Sequence, residues 1–195
     1  MRIIYIPIDE RPCNTVYVQR IAASNKQVEL LLPPRELLGN KKSPANSEGI
    51  WNWVLEQAKG ADAFILSIDM LFYGGLLPSR LHYLSDETVT KWIKRLRLFK
   101  KNFPNIRIYA SNLIMRTPKY SSSDEEPDYY GNWGREIFLR AYLQDKKRQV
   151  QLTEKEEKEL DHIQKHLPKK YIEDYEERRR FNLNVNIQVL ELVKE

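Results

Sequence analysis

Apolar and polar positions in the first 118 residues follow two alternating periods. Short stretches at residues 2–8, 28–32, 64–68 and 106–112 are predicted as strands, the third of them a continuous apolar run. Helical periodicity separates them. After Asn14 or Thr15, either of which can cap, Val16, Val18, Ile21 and Ala22 predict a first helix face. Ser47 or Asn46 precedes Ile50, Trp51, Trp53, Val54, Leu55 and Ala58, with Gly60 where a helix commonly stops. Ser85 opens the most regular stretch, in which Val89, Trp92, Ile93, Leu96 and Phe99 share one stripe. The aromatic residues of these stripes are expected to be packing.

Strands alternating with helices of this length imply right-handed crossovers and a parallel sheet. The predicted class is therefore α/β: about four parallel strands with flanking helices, either Rossmann-like or half of a (β/α) barrel. The apolar run at Phe64–Ile68 fits a strand covered on both faces. It delivers Asp69, with Gly74-Gly75 expected in a loop or tight turn and Pro78-Ser79-Arg80 behind it.

Beyond residue 118 the pattern changes. Lys119–Gly131 is a polar loop, and helical text follows around Trp133–Leu143. Thr153 with Glu156 spells a capping box for a charged helix that reaches about His166. After Pro168, a last helix carries Tyr171, Tyr175, Phe181, Val185, Val189 and Val193. Two regions are expected: a sheet core over 1–118, and a polar loop with a helical carboxyl-terminal extension over 119–195 that packs on it.

Composition narrows the picture modestly. The 195 residues carry 32 Lys and Arg against 27 Asp and Glu, for a net charge of +5. Most of these charges alternate in sign, as on solvated helix faces, and no nucleic-acid-binding motif accompanies the basic runs. No apolar run is long enough to span a membrane. The apolar start is too short, and Asp9 comes too early, for a signal peptide. A single cysteine, Cys13, suits a reducing cytoplasm, and a small buried thiol is its expected role.

A parallel sheet collects the residues after each strand on one edge. Asp9, Glu10, Arg11 and Asn14 follow the first strand, and Arg35 and Glu36 the second. Asp69, Tyr73, Gly74, Gly75 and Arg80 follow the third; Asn112, Arg116 and Tyr120 follow the fourth. Carboxylates from neighbouring strands, Asp9 or Glu10 with Asp69, could divide acid and base roles, or hold a hard cation such as magnesium. The arginines could clamp a carboxylate, a phosphate or a sugar hydroxyl. Equally, Asp9 and Asp69 could cap helices or pair with Arg11 and Arg80, and Glu36 reads as structural. The aromatic loop around Tyr120, Tyr129, Tyr130 and Trp133 could form a lid or an ordered surface loop. Neither a dinucleotide fingerprint nor a P-loop is present, so no cofactor is expected. His162 and His166 are spaced for a metal but lie on a charged helix, where a solvated face is expected.

Four segments bear a resemblance: Tyr5–Asn14, Pro33–Gly39, Ser67–Arg80, and Ile114–Pro118 with the Tyr-Ser-Ser that follows. They resemble the bacterial family catalogued as domain of unknown function 4127, and the likeness extends through Asn182–Asn186. The resemblance brings no established activity. It implies that all four motifs fall on the loops already placed on one edge. Family members are longer, so the chain is expected to be the amino-terminal portion of such a protein.

The leading expectation is a hydrolase acting on a small polar molecule, with a carbohydrate-like substrate as the finer expectation. The alternatives are a non-catalytic module for an anionic metabolite and a helical interaction or dimerisation protein.

Overall fold

The computed structural model of the chain describes residues 1–194. Four strands form one all-parallel sheet: β1 (Arg2–Ile6), β2 (Glu29–Leu31), β3 (Ala63–Ser67) and β4 (Arg107–Ser111), in the order β2-β1-β3-β4. The helices that connect them are α1 (Val16–Ala23), α2 (Ser47–Gln57), α3 (Ile68–Tyr73) and α4 (Asp86–Asn102). Three more follow: α5 (Tyr130–Gln149), α6 (Glu154–His166) and α7 (Lys169–Leu192). This is the α/β class that the alternating pattern predicts. No helix among the described residues is long and apolar enough to cross a membrane.

The chain divides into two compact units. One holds Met1–Ile114 together with the residues from Asn182 onward; the other is Met115–Phe181. The last turns of α7, expected in the carboxyl-terminal region, group with the sheet.

Strand order explains the core of the first unit. The chain steps from β1 to β2 in one direction, then crosses back over β1 to β3 and on to β4. Right-handed connections therefore put α2 and α4 on one face and α1 on the other. The face under α2 and α4 is dry. Ile4, Ile6, Phe64 and Leu66 are at most 1% exposed, and Phe64 meets Phe99 edge to face with ring centroids 4.7 Å apart. Trp51 and Trp92 are buried too, as expected of helix packing.

The opposite face departs from expectation. Tyr5, Ile65 and Tyr109 share one row of the register, and Ile65 is 36% exposed although β3 is a central strand. The expected apolar face of α1 is open as well: Val16 and Ile21 are exposed and no residue of α1 is buried. The physical reason is local. α1 is a short helix packed beside edge strand β2, so it leaves the β3 row uncovered.

The second unit has its own core. Met115, Tyr130, Ile137, Ile163, Leu167 and Tyr175 pack together, and Leu143, Leu152 and Leu160 form a smaller cluster. The predicted capping box opens α6: Thr153 accepts from the Glu156 N–H, and Glu156 accepts from the Thr153 N–H at 3.0 Å.

Candidate functional site

The carboxyl edge of the sheet is built largely from the segment after β3. The strand ends at Ser67, and Ile68–Tyr73 is a helix where the sequence suggested that Asp69 leads directly into a glycine turn. Ser67 causes the switch, because its hydroxyl accepts from the Met70 N–H at 3.2 Å and caps α3. A short apolar run does not reveal whether it continues as strand or as buried helix. Gly74 then takes the left-handed conformation, φ 82°, and its N–H donates to Met70 O. A Cβ there would stand 2.7 Å from the Ala45 nitrogen, so the glycine is required by both its conformation and its surroundings.

This turn also links the loops beside β1. Leu76 N donates to Ile8 O at 3.1 Å, and Ala45 N donates to Gly74 O at 2.9 Å. The loops after β1, β2 and β3 are thus joined through Gly74–Leu76. Gly74–Leu76 therefore lies beside the topological switch point between β1 and β3 and forms part of the edge there.

Asp69 is the buried acid of this edge. It is 2% exposed, and burial raises its carboxyl to about 6. Several contacts oppose that rise. The Leu113 N–H donates to Oδ2 at 3.0 Å, and the nearby Asn112 side-chain amide and Arg80 charge also favour the carboxylate. Arg80 is itself buried, in the 3₁₀ turn Pro78–Arg80. Tyr73 lies in the same environment: burial, and then the charge of Asp69, push its phenol above the ordinary range.

Asp9 is buried but serves its own loop. Arg11 N and Nε donate to its two oxygens at 3.1 and 2.9 Å, and Asn14 Nδ2 donates at 2.6 Å. Burial would raise this carboxyl, but the donors from Arg11 and Asn14 outweigh it and leave the group below its ordinary value. Glu10 accepts from the Lys41 N–H at 2.8 Å, which ties the loop after β1 to the loop after β2. Both acids therefore have loop-closing partners. Among the described residues, no group of three or more His, Cys, Asp or Glu side chains is placed to hold a metal ion.

Arg116 and Tyr120, expected on the same edge, belong to the second unit. There the Arg116 guanidinium pairs with Glu125 at 2.7 Å and with buried Glu126 at 3.3 Å, and donates to the Tyr120 hydroxyl at 2.9 Å. The aromatic loop, read as either a lid or an ordered surface loop, divides. Tyr130 is fully buried and donates to Pro118 O, while Tyr129 stacks on Tyr171. Tyr130 is therefore core, not lid. Cys13 is exposed, against the expectation of a buried thiol, because it lies in the solvent-facing Arg11–Cys13 turn between β1 and α1.

Two parts of the site were not foreseen. One is a groove of about 580 Å³ floored by Phe72, Tyr73, Pro78 and Trp92, with Lys42 and Lys91 among its lining residues. Its volume is in the range of small-molecule sites. The other is the last part of α7, where Asn182 and Asn186 contact the loops around Asp69. A sequence signal for these asparagines exists: polar amides at i and i+4, flanked by buried Val185 and Val189.

Residues 3–195 match the family model described as Protein of unknown function (DUF4127), so the chain belongs to that family. Searches of curated proteins and of solved structures return no significant match.

Proposed function

We propose that this member of the DUF4127 family is a hydrolase-type enzyme acting on a small polar, carbohydrate-like molecule at the carboxyl edge of the sheet. The observation that supports the reading is Asp69: a 2% exposed carboxyl, raised to about 6, beside a buried arginine. A group with that affinity can take a proton from water and return it to a leaving group near neutral pH. Arg80 would orient an anionic or hydroxyl-rich substrate, and the Tyr73 phenol would remain a proton-bearing donor. Proton transfer rests on Asp69, since Asp9 and Glu10 are engaged in closing loops. The single cysteine suits a reducing compartment, and the proposed location is the cytoplasm.

The test is turnover of chromogenic glycosides, esters and phosphoesters by the purified chain. Asp69→Asn should lower kcat on any accepted substrate by roughly 100-fold or more, the usual scale for a general acid–base group. Unchanged turnover by that variant overturns the reading.

One observation favours a second reading, a non-catalytic module for an anionic metabolite. The groove beside Tyr73 combines aromatic walls with Lys42 and Lys91. On that reading, charge reversal at Lys42 and Lys91 abolishes binding of small anions, while Asp69→Asn leaves it intact.

A further inference from the structure

We propose that Asn182 and Asn186 are positioning residues of the Asp69 site: Asn186 holds the two donors to Asp69, and Asn182 holds the turn that carries Arg80. This rests on the reading of Asp69 given above and adds the residues that hold it in shape.

The two asparagines lie four apart on α7 and so face the same way. Asn186 Nδ2 donates to Asn112 Oδ1 at 2.5 Å and to Leu113 O at 3.2 Å. The first contact fixes which way the Asn112 amide points. With its oxygen occupied by Asn186, its NH₂ is the end turned toward Asp69, where it favours the carboxylate. The second contact holds the peptide of Leu113, whose own N–H donates to Asp69 Oδ2. A single amide thus restrains both donors.

Asn182 works on the other side of the acid. Its Nδ2 donates to Ser79 O at 2.8 Å, and its Oδ1 accepts from His82 Nε2 at 2.8 Å. The His82 tautomer follows from its second nitrogen, because the Leu84 N–H donates to Nδ1 at 3.2 Å and leaves the proton on Nε2. His82 in turn stacks on Tyr73 with centroids 4.8 Å apart. Arg80 lies between Ser79 and His82, so Asn182 holds the backbone carbonyl on one side of it and the His82 side chain on the other. Asparagine is a poor helix former, and Asn182 is 5% exposed. Only specific contacts compensate for such a residue on a buried helix face.

The experiment is a carbon-13 carboxyl NMR titration of the full chain, with the Asp69 signal assigned by its loss in Asp69→Asn. Asn186→Ala should move the Asp69 midpoint upward by roughly half a pH unit to one unit, the scale of one lost donor to a carboxylate. Exposed Asn184 on the same helix is the control, and Asn184→Ala should leave the midpoint in place. Asn186→Asp supplies a second arm that preserves size. An acceptor at 186 turns the Asn112 amide over, presents its oxygen to Asp69, and should raise the midpoint at least as far as alanine does. Nitrogen-15 spectra should show His82 protonated on Nε2 in the parent, with a mixture of tautomers in Asn182→Ala.

An Asp69 midpoint unchanged in both Asn186 variants, or shifted equally by Asn184→Ala, overturns the proposal. The titration does not depend on turnover. A failed hydrolase assay and a failed positioning role are therefore separate results.

Discussion

The Leu113 N–H donates to Asp69 Oδ2 at 3.0 Å, across 44 residues of sequence. The acid that follows β3 is thereby held by the segment leaving β4, and its protonation is coupled to the native arrangement of neighbouring strands.

That coupling has a pH signature. Asp69 titrates near 6 in the folded chain, above its ordinary value of 3.8, so the folded state binds its proton more tightly than the unfolded state does. Its contribution is fully present below pH 3.8 and is lost as pH rises through 6. The shift corresponds to roughly 3 kcal/mol, an order-of-magnitude figure. Asp9 acts in the opposite sense, since its lowered carboxyl stabilises above pH 3.8 and that stability is lost on further acidification. Urea unfolding from pH 4 to 7 should show the wild type losing stability relative to Asp69→Asn. Parallel curves for the two proteins would show that Asp69 does not titrate in this window.

Two glycines with similar backbones should respond differently to alanine. Gly74 and Gly60 have φ 82° and 77°, but a Cβ on Gly74 meets the Ala45 backbone at 2.7 Å, whereas one on Gly60 comes no closer than 3.9 Å, to an arginine side chain. Gly60→Ala should cost about 1 kcal/mol, the left-handed penalty alone. Gly74→Ala should cost roughly 2–4 kcal/mol, because backbone must also move. Denaturant midpoints of the two variants decide it, and equal losses would mean that the Ala45 contact is readily relieved.

Cys13 is exposed between β1 and α1. One thiol per chain should react with a disulfide reagent under native conditions, at a rate close to that of the urea-unfolded protein. Strong protection in the native state would place this turn in a buried contact.

The sequence by itself determined the repeating β-α pattern of the first 118 residues, the parallel sheet and the capping box at Thr153. Each is a local signal: periodicity, a capping residue, or a short apolar run set between helical stretches. It also marked Asp69 and Arg80, because the end of a parallel strand is a place that topology alone identifies. What it left open depended on packing. The run through Ile68 could be read as strand or helix until Ser67 was seen capping the next turn. The exposure of Ile65 and the open face of α1 follow from where α1 packs, which periodicity does not encode. Asp9 and Asp69 read alike in the sequence as acids after strands. Only the tertiary structure surrounded Asp9 with donors from its own loop and buried Asp69 beside groups from the segment after β4 and the turn that carries Arg80. Their protonation diverges for that reason: desolvation and the number of donors are properties of the folded neighbourhood.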